Sequence, residues 1–171
     1  MLARLERLVE DLAALHSKLV LLTGPPGSGK TALLRAFGHR TGAEPLNLGA
    51  ELGRRLAAVP QRERRLQAGS LLREIAGPHV RDDLLLIDNI ELLFDASLAL
   101  NPLDLLKRQA QGRRVVAVWP GALRPGGTEP EPGTGAGRPG SYRPRLTYAE
   151  MGHAEYRDYG LDGLVALDLK Q

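Results

Sequence analysis

The sequence predicts an α/β domain in which helices flank a mainly parallel sheet of five strands. Three observations lead to this prediction. Short, continuous apolar runs alternate with segments whose apolar residues recur at helical spacing. The first run breaks into a loop rich in glycine and proline, and a later run ends in an aspartate. Continuous apolar runs are typical of strands buried on both faces, as in doubly wound parallel sheets.

Composition limits the class of protein. At 171 residues, with 43% hydrophobic and 25% charged residues, the chain has the length and composition of one globular domain. The absence of cysteine excludes disulfides and thiolate metal sites. The net charge of +3 permits a nucleic-acid partner without requiring one. Because the N-terminus lacks a signal-like apolar block and no run approaches the roughly 18 apolar residues of a membrane span, we expect a cytoplasmic protein without membrane contact.

The elements follow in order along the chain. Residues 2–16 have the leucine spacing of an amphipathic helix that packs on the core. Helical spacing returns at 31–40, and Asn101 followed by Pro102 predicts a capped helix that runs to Ala110. We expect the loop after the first strand to lie beside the loop after the third, at the carboxyl edge of the sheet. The predicted strands cover residues 18–23, 46–48, 84–87, 114–119 and 164–167.

The loop between the first strand and its helix reads GPPGSGKT from Gly24 to Thr31, which matches the Walker A pattern GxxxxGK[ST] in its expected context. Glycines let successive backbone N–H groups converge on phosphate oxygens, and the helix N-terminus adds its own donors. Lys30 is predicted to reach the β- and γ-phosphates, and the Thr31 hydroxyl to ligate Mg²⁺. The predicted nucleotide contacts are Gly24, Pro25, Pro26, Gly27, Ser28, Gly29, Lys30, Thr31 and Ala32.

A second carboxylate for Mg²⁺ is expected after another strand. The run LLLI ends in Asp88, which predicts a Walker B strand and makes Asp88 a metal ligand with Thr31. The residue that follows is Asn89 rather than a glutamate, so three interpretations of the hydrolytic base stay open. Glu91 acts as the base, Asn89 positions the water without accepting its proton, or the site has no efficient base.

Two further segments carry charge that the nucleotide site does not use. The segment 53–67 contains five arginines and one glutamate, which suits contact with a DNA backbone or a solvated face that docks a protein. Residues 124–145 are rich in glycine and proline, which predicts a flexible insertion that is either a lid or a tolerated surface loop. The arginines of the basic segment are Arg54, Arg55, Arg62, Arg64 and Arg65.

The region after this insertion is predicted to return to order. Thr147 and Glu150 have the spacing of a capping box, and residues 153–159 are predicted to form a short helix. Arg157 lies between the fourth and fifth strands, where an arginine in an oligomeric ATPase completes a neighbour's site in trans. The alternative is an ordinary surface arginine.

The segments LVLLTGPPGSGKTALLR, LLLIDNIELLFDASL, NPLDLLKR, VVAVW and LTYAEMGHAEYRDY together resemble the BrxF family, small P-loop proteins of BREX phage-defence systems. The resemblance spans nearly the whole chain. It implies an ATP-binding and ATP-hydrolysing component of a system that excludes phage DNA together with other BREX subunits. Lys30, Thr31 and Asp88 carry over with their motifs.

The corresponding fold is a single P-loop NTPase domain over 1–171, with an additional-strand, AAA-like core. We expect no C-terminal helical lid because few residues follow Leu167. Two other function classes stay open: an adaptor that binds ATP without hydrolysing it, and a small-molecule kinase. The chain contains no NKxD motif for reading guanine, which favours adenine nucleotides.

Overall fold

The computed structural model describes residues 1–16, 18–125, 144–149 and 152–170, and its centre is a parallel sheet of five strands. Every strand pair in this sheet is parallel, as predicted. The order across the sheet is β2, β3, β4, β1, β8. These strands are β1 (Leu19–Thr23), β2 (Leu46–Asn47), β3 (Leu84–Asp88), β4 (Arg114–Val118) and β8 (Val165–Asp168).

Helices cover both faces of the sheet. One core cluster joins α1 and α2 to one face, and the other joins α3, α4 and α5 to the opposite face. Burial on both faces accounts for the continuous apolar runs of the central strands. None of the described helices is long and apolar enough to cross a membrane. The helices are α1 (Leu2–Asp11), α2 (Lys30–Thr41), α3 (Leu48–Ala57), α4 (Gln61–Ala76) and α5 (Pro102–Gln109).

The strand order corrects one expectation about the loops. Strand β4 pairs with both β1 and β3, so it lies between the Walker A strand and the Walker B strand. The two loops are therefore not on adjacent strands, although both lie at the carboxyl edge because all the strands are parallel. An inserted strand at this position is the feature that defines the additional-strand group.

The predicted element boundaries need small corrections. The α-helix α1 ends at Asp11 and continues as a 3-10 turn over Leu12–Ala14, where Leu12 is buried. Strand β2 ends at Asn47, since the Asn47 side chain accepts a hydrogen bond from the Ala50 N–H at 3.1 Å and caps α3. Asn101 caps α5 in the same way, as predicted.

A second, antiparallel sheet was not predicted. It consists of β5 (Leu123–Arg124), β6 (Arg145–Tyr148) and β7 (Arg157–Gly160). The predicted helix 153–159 is wrong, because 157–160 pairs with β6 as a strand. Both ends of the predicted insertion 124–145 pair in this sheet as well, while its interior, 126–143, lies outside the described residues.

Tertiary contacts explain why the second sheet forms. Trp119, fully buried after β4, donates its indole N–H to the Thr147 carbonyl at 2.9 Å, and Leu146 is buried beside it. Thr147 itself is 2% exposed and donates its hydroxyl to the Ala122 carbonyl at 3.2 Å. Thr147 therefore belongs to a strand rather than to the predicted capping box, whose partner Glu150 lies outside the described residues.

Candidate nucleotide site at the carboxyl edge of the sheet

The loop from Gly24 to Gly29 needs glycine at three positions. Gly24, Gly27 and Gly29 have φ angles of 141°, 76° and 89°, in the region that disfavours side chains. Gly24 is also crowded, because a Cβ there would lie 2.8 Å from the Ser28 hydroxyl oxygen. Gly29 is the N-cap of α2, so the free N–H groups of the first turn face the loop. This backbone is suited to binding an anion.

The Lys30 ammonium lies across the inside of this loop. Its Nζ donates to the Gly24 carbonyl at 2.5 Å and to the Pro25 carbonyl at 3.1 Å. Burial lowers the pKa of Lys30 below 10.5, and the negative charges of Asp168, Glu91 and Asp88 oppose that shift. The lysine therefore lies in the field of three carboxylates, each at the end of a strand or in the residues that follow one.

Two of these carboxylates were predicted. Asp88 ends β3, is 7% exposed and accepts a hydrogen bond from the Asn89 N–H at 2.9 Å. Glu91 begins a 3-10 turn over Glu91–Phe94 and is exposed. The structure thus brings Asp88, Glu91 and Lys30 to one edge of the sheet, as the two motifs predicted.

Asn89 lies in the turn beside α3. It is exposed with a φ of 54°, in the left-handed region that asparagine tolerates better than most residues. Its carbonyl lies so close to α3 that a Cβ on Gly49 would approach it to 2.8 Å. Asn89 therefore shapes the turn after the Walker B strand, whereas the charge of Glu91 acts on Lys30.

Asp168 is the residue that the sequence analysis missed. It ends β8 in register with Thr23, the last residue of the Walker A strand, and its charge has the largest effect of the three carboxylates on Lys30. Its carboxylate also accepts a hydrogen bond from the Lys170 N–H at 3.1 Å. The signal was present in the sequence, since VALD is a short apolar strand that ends in aspartate, like LLLID.

The donors near the loop fit Mg²⁺ bound together with phosphate. Thr31 is the second residue of α2 and half-buried, and Asp88 is buried at the end of its strand. Hydroxyl and carboxylate oxygens are hard ligands, and Mg²⁺ is commonly held by one or two protein groups plus phosphate oxygens. Within the described residues, no group of three or more His, Cys, Asp or Glu side chains is arranged to hold a metal without such help.

The family model described as ATPase family associated with various cellular activities (AAA) matches residues 20–117, more than half of the chain. The chain belongs to the AAA family. The matched segment runs from the Walker A strand through β3 to β4, so it contains Lys30, Thr31, Asp88 and Glu91. No curated protein matches the chain.

The AAA family supports nucleotide binding by this domain, and the matched segment includes the phosphate-binding loop. The remaining predicted contacts lie on the loop and in the first turn of α2. Pro25, Pro26 and Ala32 are exposed, and the buried Ser28 hydroxyl has no hydrogen-bond partner among the described residues. Residues 118–170, which contain Asp168 and the second sheet, lie outside the segment that the AAA model matches.

Arg157 is on β7 of this AAA protein, opposite Tyr148 on β6, and not on a helix. Burial raises the pKa of the Tyr159 hydroxyl, and the neighbouring Arg157 guanidinium opposes that shift. Arg157 is half-buried. Its charge therefore acts on Tyr159 of its own chain.

Three of the five arginines of the basic segment have intramolecular partners. Arg54 pairs with Glu51 at 3.0 Å, and Arg55 pairs with Glu74 at 3.3 Å. The guanidinium of Arg64 donates to the Val59 carbonyl at 3.0 Å. The other two, Arg62 and Arg65, are exposed and form no ion pair within the described residues.

Proposed function

We propose that this AAA domain hydrolyses ATP at the carboxyl edge, with Glu91 as the base. The observation that carries the proposal is that Lys30 lies inside the phosphate-binding loop and in the field of both Asp88 and Glu91. Lys30 and the loop N–H groups would bind the β- and γ-phosphates of ATP. Thr31 and Asp88 would hold Mg²⁺, which neutralises phosphate charge when bound.

The reaction assigned to these residues is transfer of the γ-phosphoryl group to water. The Glu91 carboxylate accepts a proton from water while the water oxygen bonds to the γ-phosphorus, and the bond from that phosphorus to the bridging oxygen of ADP breaks. Lys30 stabilises the charge that develops on the departing oxygen. The products are ADP and inorganic phosphate.

Turnover of ATP by the purified protein tests this proposal. Lys30→Ala is expected to abolish nucleotide binding, and Glu91→Gln to retain binding while lowering kcat by about a hundredfold or more. Glu10→Gln, at an exposed position on α1, is the matched control and should leave kcat unchanged. Full activity of Glu91→Gln would reject Glu91 as the base, and Asn89→Ala would then show whether Asn89 positions the water.

A non-hydrolysing, nucleotide-gated adaptor is the alternative that one observation favours. The residue directly after Asp88 is Asn89, whose side chain cannot accept a proton from water. Tight binding of Mg-ATP with no phosphate release at any protein concentration would establish this alternative.

We further propose that the protein acts with other BREX subunits in phage exclusion. The motifs that resemble the BrxF family support this role, and the AAA family supports its ATP dependence. Phage plating on a host with the complete gene set tests it. Lys30→Ala should abolish protection while the variant protein still accumulates, and undiminished protection would overturn the proposal.

Assembly with Arg157 acting in trans is a separate proposal, supported by family membership and by the position of Arg157 before the last strand. Mixing Lys30→Ala protein with Arg157→Ala protein tests it, because a trans arginine from the first would restore turnover in the second. Failure to restore turnover, with Arg157→Ala alone inactive, would mean that Arg157 acts within its own chain.

A DNA contact through the basic segment would depend mainly on Arg62 and Arg65, since the other three arginines already have intramolecular partners. Binding of duplex DNA across a salt series is the test. Arg62→Glu with Arg65→Glu should weaken binding and reduce its salt dependence, because fewer phosphates are neutralised.

A further inference from the structure

A cleft of about 440 Å³ separates α4 from the end of α5 and the turn before β4. It lies at the amino edge of the sheet, because α4 and α5 end where β3 and β4 begin, whereas the nucleotide site lies at the carboxyl edge. Its lining residues come from three segments. They are Leu66, Gly69, Ser70 and Arg73, then Leu105, Arg108 and Gln109, and finally Gln111, Gly112 and Arg113.

All the charged side chains that line the cleft are basic. Three of its lining residues are arginines and none is acidic. Arg108 pairs with Asp104 at 2.8 Å, while Arg73 and Arg113 form no ion pair within the described residues. Guanidinium groups bind carboxylates through paired hydrogen bonds, so this lining is complementary to an acidic ligand.

The amide of Gln109 also faces this cleft. Gln109 is only 7% exposed, and its side chain makes no hydrogen bond within the described part of the chain. Its polar atoms are not among the fully buried ones of the described residues, so a ligand in the cleft can reach them. A carboxamide offers a donor and an acceptor side by side, which matches the donor and acceptor of a peptide unit.

Two leucines form the apolar part of the cleft and favour one class of ligand over another. Leu66 is 77% exposed on α4, and the half-buried Leu105 faces it from α5. Gly69 lies close enough to α5 that a Cβ there would be 3.9 Å from the Leu105 methyl. An exposed leucine beside arginines suits a peptide with both apolar and acidic side chains better than it suits a phosphate backbone.

We propose that this cleft binds an acidic, leucine-containing segment of a partner protein. The apolar side chain of the segment packs on Leu66 and Leu105, its carboxylates pair with Arg73 and Arg113, and Gln109 hydrogen-bonds to its backbone. The inference does not depend on ATP hydrolysis, since no residue of the cleft belongs to the nucleotide site.

A fluorescein-labelled peptide of glutamate and leucine is the probe, and the same peptide with glutamine for glutamate is its control. Fluorescence anisotropy should show saturable binding of the first that weakens with salt, and ¹⁵N chemical-shift changes should cluster in residues 66–73 and 105–113. Arg73→Glu with Arg113→Glu should weaken binding about tenfold or more, as expected for two lost charge-assisted contacts. Arg4→Glu with Arg7→Glu makes the same charge change on the exposed surface of α1 and should leave binding unchanged.

Leu66→Ser distinguishes specific peptide binding from nonspecific electrostatic binding of any acidic molecule. Because Leu66 is exposed, the substitution leaves the fold intact, and it should weaken peptide binding about threefold or more through lost apolar contact. Absence of saturable binding, or equal weakening by the α1 control, would overturn the proposal. So would tighter binding of duplex DNA than of peptide, with no effect of Leu66→Ser on either.

Discussion

The ring of Phe94 stacks on the ring of Tyr148, with 3.9 Å between their centroids and 17° between their planes. Phe94 ends the 3-10 turn that begins at Glu91, and Tyr148 lies on β6 of the second sheet. Phe94 also makes an edge contact with Trp119 at 5.2 Å. The second sheet is thus joined by aromatic packing to the turn that carries the proposed base.

We expect Tyr148→Ala to destabilise the protein by about 2 kcal/mol, because it removes the stacked ring from a half-buried position. Tyr148→Phe keeps the ring and should change the free energy of unfolding by less than about 0.5 kcal/mol. Urea unfolding followed by the emission of Trp119, the single tryptophan, measures both. Equal losses in the two variants would show that the hydroxyl, and not the stack, stabilises this region.

Gly24→Ala should lower nucleotide affinity by about tenfold or more, since a Cβ would meet the Ser28 hydroxyl at 2.8 Å and the φ of 141° disfavours a side chain. Gly77→Ala is the control, because a Cβ there has open space. Titration with a fluorescent ATP analogue measures both. Normal affinity in Gly24→Ala would mean that the loop tolerates a different backbone path.

Nucleotide binding should weaken as the pH rises through the lowered pKa of Lys30. Burial places that pKa below 10.5, so the ammonium loses its proton at a lower pH than a free lysine does, and neutral lysine binds phosphate poorly. Because the charge of Asp168 raises the pKa of Lys30, Asp168→Asn should move the loss of binding to lower pH. Affinity for a fluorescent ATP analogue, measured across the alkaline range, shows the shift.

At neutral pH, where Lys30 is protonated, Asp168→Asn should instead tighten nucleotide binding by about threefold, since it removes a negative charge beside the phosphate site. Asp11→Asn, at an exposed position at the end of α1, is the control and should have no effect. Weaker binding in Asp168→Asn would indicate that the carboxylate accepts a hydrogen bond from the nucleotide.

Gly121→Ala should destabilise the protein by about 3 kcal/mol or displace the second sheet, because a Cβ there would lie 1.5 Å from the Thr147 carbonyl oxygen. The same carbonyl accepts the Trp119 indole N–H, so the emission of Trp119 should shift to longer wavelength. Gly112→Ala, with open space around its Cβ, should leave the unfolding midpoint unchanged. Equal unfolding midpoints for the two variants would show that close packing of Gly121 against Thr147 is not needed for stability.

The Walker A loop shows what could be predicted from sequence. Its glycines, Lys30 and Thr31 are contiguous, and the strand and helix on either side are long enough to have clear patterns. Local geometry alone therefore determines which groups face a phosphate. Asp88 required only one further step, since parallel strands bring their carboxyl ends to the same edge.

Asp168 and Tyr148 show why other parts of the site were missed. Asp168 acts on Lys30 only because β8 pairs with β1, which lies far from it in sequence. Strands of two to four residues, such as β5, β6 and β7, are too short for alternation to be distinguished from helical spacing. The spacing over 153–159 therefore predicted a helix, whereas pairing with β6 makes 157–160 a strand.

Local sequence is enough to predict the phosphate-binding loop, the Walker B aspartate and the class of sheet, because each depends on contiguous residues or on the buried runs of parallel strands. Three features depend instead on how distant segments pack: β4 separates the two motif strands, the charge of Asp168 acts on Lys30, and Tyr148 of the second sheet stacks on Phe94. These contacts join residues far apart in the chain. Their free energy comes from burial and long-range hydrogen bonds, which no local pattern encodes.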